Sequence, residues 1–221
     1  MPQSRRDRPA KPALSRAGIV AVAVDLLHSE GLDRVTMRRL SAELDTGPAS
    51  LYVYVRNTAD LHAAVLDELL GTVDLAPDST ADWQDRLVQV LASYTRVLFQ
   101  HPGLARTAML TWPSGPHYLA LLEQLLGLLA EGGVPTDRAA WAVDLLMQLA
   151  TATAAEHSTR EETKTGAEFE ALRAAAQGAD RRTHPHLTAA GAELFSGAGP
   201  DRLLWGLRVL INGVLATPRP E

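Results

Sequence analysis

The sequence predicts an all-α protein, with an N-terminal three-helix helix-turn-helix domain and a larger helical C-terminal domain. Three observations carry that prediction. Apolar residues recur at helical spacing through most of the 221 residues, and no alternating strand pattern of useful length interrupts them. Cap residues and Gly or Pro stops punctuate these stretches where helices should begin and end. Residues 36–62, TMRRLSAELDTGPASLYVYVRNTADLH, hold two short helical segments separated by a tight turn, the layout of a DNA-reading helix-turn-helix.

Residues 1–13 are polar, basic and punctuated by proline, and a disordered basic arm is expected there. Ser15 can cap a first helix whose apolar face is Ile19, Ala23, Leu26 and Leu27, and Gly31 ends it. Thr36 can cap a second helix that buries Leu40 and Leu44 and shows Arg38 and Arg39. Asp45 to Gly47 form the turn, and Pro48 opens a recognition helix running to about Tyr54, proline being favoured at the first helical position. Asn57, with Asp60 three residues on, resembles a capping box and starts a helix through about Leu70. The helix-turn-helix domain is expected to span 14–60 and the second domain 61–221.

After a loop at 74–81, Leu87, Val90, Leu91, Tyr94, Val97 and Leu98 form one stripe, stopped near Pro102. Leu104 to Thr111 is a short helix cut by Trp112-Pro113. Pro116 to Glu131 is a Leu-rich helix ending at Gly132-Gly133, and Thr136 caps a long one through about Arg160. Residues 163–183, polar and rich in Gly and Ala, read as a mobile loop. Leu187 to Phe195 and Asp201 to Leu215 are the last two helices.

Composition excludes several classes. Hydrophobic residues make up 46% and charged residues 21%, which fits a globular chain and rules out wholesale disorder. With no cysteine there is no disulfide, thiolate nucleophile or cysteine-ligated zinc. The longest apolar run, Tyr118 to Ala130, contains Glu123 and Gln124 and is too short to cross a bilayer. No apolar segment follows the basic start, so no secretory signal and no membrane partner are expected, and the location is expected to be cytoplasmic. No nucleophile elbow, phosphate loop or HExxH motif occurs, so neither an enzyme nor a cofactor is expected. His184-x-His186, and His157 near Glu161 and Glu162, read as surface histidines rather than a metal site. The net charge of −5 divides unevenly: residues 1–60 hold nine Lys/Arg against seven Asp/Glu, a balance of +2, which leaves −7 for the remainder. Phosphate attraction must therefore come from the N-terminal part.

The Ser15–Glu30 and Thr36–Leu44 segments, the Leu51-Tyr52 pair and the run Val55 to Leu61 together resemble the TetR family of bacterial regulators. TrpGlnAspArgLeu at 83–87, ThrTrpPro at 111–113, LeuLeuGluGlnLeu at 121–125 and the Leu204–Leu215 helix are similar to the tetracycline-repressor branch, in the same order. Two departures stand out. Asp45 occupies the turn position where many helix-turn-helix proteins have Gly, and Asp tolerates left-handed geometry. Ala108 stands where the tetracycline repressor has its magnesium-binding histidine, and Asp74 and Val90 stand at further ligand contacts. A magnesium–tetracycline chelate is therefore not the effector the resemblance implies, although Tyr94 and Glu156 match an aromatic and an acidic residue of that pocket.

The resemblance implies that Thr36, Met37, Arg38, Gly47, Pro48, Ala49, Ser50, Tyr52 and Tyr54 face double-stranded DNA, with Thr58 a further phosphate contact. Small and hydroxyl side chains can reach base edges and thymine methyls, while Tyr, Arg and helix N-termini hold phosphates. Leu51 and Val55 read as core. The arginines of the arm fit a minor-groove contact and a solvated tail equally.

A ligand site is implied at Tyr94, Met109, Trp112, Trp141, Met147, Gln148, Thr151 and Glu156, though Met147 and Trp141 also suit a core. A buried Glu156 would favour a cationic or hydrogen-bond-donating molecule. Dimerisation is implied through the helices at Thr136–Arg160 and Asp201–Leu215, with Leu145, Leu149, Leu203, Leu207, Leu210 and Ile211 offering apolar surface. The expected function is a homodimeric transcriptional regulator, most simply a repressor released from a palindromic operator by a small-molecule effector. Two other classes fit the sequence: an effector-independent dimeric DNA binder, and a helical ligand-binding protein without DNA affinity.

Overall fold

The structure, a computed structural model, describes residues 14–111, 113–163 and 166–220; the expected N-terminal arm lies outside them. Among the described residues every regular element is helical. The chain divides into two compact units between Val65 and Leu66.

In the first unit, local caps set the helices. Ser15 Oγ accepts the Gly18 amide at 3.1 Å and starts α1 (Arg16–Glu30), which stops at Gly31 with a φ of 85° that disfavours any side chain. A short 3-10 turn, Leu32–Arg34, leads to α2 (Met37–Glu43), where Thr36 Oγ1 accepts the Arg39 amide at 3.2 Å. Asp45 takes the left-handed turn position at φ 46°. Next comes α3 (Pro48–Leu51), shorter than the expected Pro48–Tyr54 recognition helix. Tyr52, Val53 and Tyr54 are aromatic or β-branched, and the Tyr54 amide donates to the Leu51 carbonyl at 2.9 Å, tightening the chain out of the α-helix. Asn57 Oδ1 accepts the Asp60 amide at 2.8 Å and opens α4 (Thr58–Leu70), whose last five residues belong to the second unit. Ile19, Ala23, Leu40, Leu51, Val55, Leu61 and Val65 fill the small core.

The second unit is built around α8 (Thr136–Thr163), which packs against α5 (Trp83–Gln100), α6 (Pro102–Leu110), α7 (Pro116–Glu131) and α11 (Gly199–Ala216). Asp82 caps α5 by accepting the Asp85 amide at 2.8 Å. Thr136 is the first helical residue of α8 rather than its cap: the Pro135 carbonyl accepts the Ala139 amide at 2.8 Å. Leu87, Leu91, Leu98, Leu104, Leu121, Leu125 and Leu146 are fully buried among these helices.

The segment expected to be a loop at 163–183 contains a three-turn helix, α9 (Gly166–Gln177). Its AEFEALRAAAQ run is rich in Ala, Glu, Leu and Arg, strong helix formers that outweigh its polarity, and none of it is buried. The following segment divides into α10 (Pro185–Ala190) and a 3-10 turn, Gly191–Phe195, instead of one helix over Leu187–Phe195, because Gly191 sits at φ 51°. These elements pack on one another, with the Phe169 and Phe195 rings meeting edge to face at 5.7 Å between centroids.

Candidate DNA-reading face and ligand cavity

In the first unit Thr36, Arg38, Gly47, Pro48, Ala49, Ser50, Tyr52, Tyr54 and Thr58 are all exposed. Met37 is not: at 6% exposure its side chain packs in the core, which corrects its expected place on the surface. Flexible and apolar, it fills the space beneath the start of α2 rather than reaching outward. Sequence reading passed over Val53, which is 78% exposed between the two tyrosines and adds an apolar surface to their rings.

Ion pairs fix this surface. Arg16 donates to the Tyr54 carbonyl at 2.8 Å and to the Asp60 carboxylate at 3.2 Å, and Asp60 also accepts the Arg56 amide at 2.9 Å. Burial alone would raise the Asp60 carboxyl, but the Arg16 and Arg56 groups outweigh it and hold the group below its ordinary value. The Tyr52–Arg56 turn is thereby tied to the first turn of α1. His62 Nε2 donates to the Val35 carbonyl at 2.9 Å and joins α4 to the approach to α2.

The two adjacent arginines of α2 differ. Arg39 is clamped between Glu30 at 2.6 Å and Glu43 at 2.7 Å, whereas Arg38 is exposed and has no ion-pair partner among the described residues. Of these two, Arg38 has its guanidinium available to an incoming anion or base edge.

The second unit contains a cavity of about 490 Å³. Its walls are Leu66 and Leu70 of α4, Met109 of α6, Pro113, Leu122 and Leu126 near and on α7, and Val143 and Met147 of α8. Polar groups reach it from Tyr94, Thr111, Tyr118, Asp144, Gln148 and Thr151. The buried Tyr94 hydroxyl and Thr151 Oγ1 lie 2.7 Å apart, and burial pushes the Tyr94 phenol up to about 12, so it stays protonated. Burial, and secondly the charge of Asp144, also raise Tyr118 above its ordinary value.

Of the expected ligand residues, Tyr94, Met109, Met147, Gln148 and Thr151 line this cavity; Trp112 lies outside the described residues. Trp141 and Glu156 do not line it. Trp141 is 53% exposed with the Arg219 guanidinium 4.7 Å from its ring centroid, and Glu156 is exposed, so the carboxylate at the cavity is Asp144. Asp144 precedes Gln148 and Thr151 by one and two turns, a spacing legible in the sequence once that face of α8 is known. Ala108 lines the cavity, whereas Asp74 and Val90 do not.

Asp67 binds the cavity's two sides together. It is buried at 7% exposure, and its carboxylate accepts the Tyr118 amide, the third of α7, at 2.9 Å. That bond supplies the cap that Gly115 cannot, and a Cβ at Gly115 would run into the same carboxylate. Leu66 and Leu70 of α4 flank Asp67, and Tyr118 itself faces the cavity.

The expected dimer residues part ways. Leu203, Leu207 and Ile211 are buried within their own chain, where α11 packs on α8 and α5. This corrects their expected place at an interface: α11 is apolar on several faces, so periodicity alone could not say which one turns inward. Leu145 is 46% exposed, Leu149 and Leu210 are half-buried, and Leu204, Val209, Leu215 and above all Trp205, which is 70% exposed, add further apolar surface on α11.

Residues 76–217 match the domain described as "Tetracyclin repressor-like, C-terminal domain", and residues 19–65 match "Bacterial regulatory proteins, tetR family". The structure is similar to that of SCO7704 of Streptomyces coelicolor, described as a transcription regulator, at 54% identity and a TM-score of 0.81, covering 96% of this chain and 99% of that one. It is also similar to apo ActR of Streptomyces coelicolor, at 32% identity and a TM-score of 0.82, covering 95% and 97% of the two chains, and ActR has been solved in complex with actinorhodin. An HTH-type transcriptional regulator of Saccharopolyspora erythraea is 35% identical over 123 residues, 56% of this chain and 52% of that protein. The matched region thus spans about half the length of such curated relatives.

Proposed function

The chain belongs to the TetR family of bacterial transcriptional regulators, and from that premise we propose that it is a ligand-responsive repressor whose homodimer leaves a palindromic operator when a small molecule fills the cavity. The reading rests above all on α4. One end of this helix follows the exposed Tyr52–Tyr54 turn, and the other supplies Leu66 and Leu70 to the cavity wall and Asp67 to the α7 cap. A molecule entering the cavity presses on both of the latter contacts and tilts α4. The cavity volume falls within the few hundred to about 1,000 Å³ usual for small-molecule sites, and the actinorhodin complex of ActR supports ligand control.

Operator reading falls to Arg38 and to the Gly47–Ser50 end of α3, with Tyr52, Tyr54 and Thr58 on phosphates. The exposed apolar face of Trp141, Leu145, Leu204, Trp205 and Val209 joins two protomers about a two-fold axis, and that symmetry gives a palindromic site. Release needs the effector to prefer the non-binding conformation, and about 5.5 kcal/mol of preference shifts a population almost completely. As a bacterial DNA-binding regulator it works in the cytoplasm, and no helix among the described residues is long and apolar enough to cross a membrane.

The test is selection of bound duplexes from a random pool at two salt concentrations. A recovered palindrome whose affinity falls steeply with salt is the expected result; no enrichment over competitor DNA would overturn operator recognition.

A further inference from the structure

Among the described residues lining the cavity there is no Lys, Arg or His, and Asp144 is the one carboxylate. Asp144 has no ion-pair or hydrogen-bond partner among the described residues, and it stands at the rim, exposed to solvent on α8. The opposite resource is missing too. The Tyr94 hydroxyl is already paired with Thr151 at 2.7 Å and remains protonated, and Tyr118 likewise remains neutral beside the Asp144 charge. Among the described residues the lining therefore offers one negative charge, neutral hydroxyls, the Gln148 amide and hydrocarbon walls, and no cation that would balance an incoming anion.

We propose that this cavity selects an apolar molecule bearing a protonated amine, which Asp144 holds at the rim while the Leu66, Leu122, Leu126 and Met147 walls take its hydrocarbon body. The proposal rests on the reading of the cavity as an effector site and adds the chemical class of the effector. A carboxylic acid of the same size would have to bring its charge beside Asp144 with no cation to offset the repulsion. An amine in the same place meets the opposite charge at the solvent-exposed rim, so its pairing with Asp144 is attractive where the carboxylate's is repulsive. When the cavity is empty, water reaching the rim solvates Asp144, so the unpaired carboxylate is tolerable without a ligand.

Three probes of one shape separate the possibilities: 9-(aminomethyl)anthracene, 9-anthracenemethanol and 9-anthracenecarboxylate, titrated calorimetrically into the full chain near neutral pH. The amine should bind at least about tenfold more tightly than the carboxylate, with the alcohol between them. Asp144→Asn should weaken the amine about tenfold, leave the alcohol unchanged and bring the carboxylate closer to the other two. Equal affinity for amine and carboxylate, or an equal loss of all three probes in Asp144→Asn, would overturn the charge selection and leave the cavity as an effector site. Failure of all three to bind a protein that still melts cooperatively and still selects its duplex would overturn the effector site itself.

Discussion

The first unit presents its polar groups outward from a filled core, whereas the second turns several of its own inward onto a hollow. Leu51 and Val55 are fully buried, and the exposed tyrosines are carried on a turn held by Arg16, Asp60 and Asn57. Around Tyr94 and Tyr118 the packing is incomplete, and Leu66, Leu122 and Leu126 face space that another molecule can occupy. Rigid outward display suits recognition of a fixed surface such as a DNA groove. An unfilled interior gives up packing energy and gains the ability to respond to what enters it.

Substitutions can break or sharpen this contrast, and the largest effect is expected in the filled core. Leu51→Ala should destabilise the first unit by about 2–5 kcal/mol, read by urea denaturation, and abolish duplex binding with it. Arg38→Ala should leave the melting temperature unchanged and weaken operator binding by about 1–3 kcal/mol with relaxed choice at one base pair. Arg39→Ala, by contrast, should alter stability by less than about 1 kcal/mol and leave base preference intact, because its guanidinium is already occupied by Glu30 and Glu43. In the second unit the sign reverses: Ala108→Leu, by filling the cavity, should stabilise by about 0.5–2 kcal/mol while excluding ligand, as a thermal melt and a probe titration would register together.

The smallest effect is on pH. The Asp60 carboxyl titrates below its ordinary value of 3.8 in the folded protein, so its contribution is complete above that value and is lost as pH falls through the lower, folded one. Acid unfolding of the native chain should therefore steepen below about pH 4 relative to Asp60→Asn, as circular dichroism followed across the acid range would show.

The contrast also explains which features were legible in the sequence. Ser15, Gly31, Thr36, Pro48 and Asn57 act within a few residues of themselves, so helix ends in the first unit and the left-handed Asp45 could be read directly. The length of α3 could not, because its end depends on the geometry of the Tyr52–Tyr54 turn against α1 and α4. In the second unit the pocket residues come from five helices and one connection, and α8 and α11 are apolar on more than one side. Their inward face is decided by neighbours distant in sequence, which is why Trp141, Glu156, Leu203, Leu207 and Ile211 were misplaced. The α9 helix is hidden for a different reason: Phe169 and Leu172 are its only large apolar residues and both stay exposed, so its Ala, Glu and Gln content reads as polar loop.

Coupling between the cavity and the DNA-reading surface is the central claim, and linkage tests it directly. The affinity of 9-(aminomethyl)anthracene would be measured for the free dimer and for the dimer saturated with its selected operator duplex. The account predicts weaker binding to the DNA-bound form, by the same factor by which the probe weakens operator binding. Equal affinity for the two forms would contradict it, leaving a DNA binder and a cavity that do not communicate.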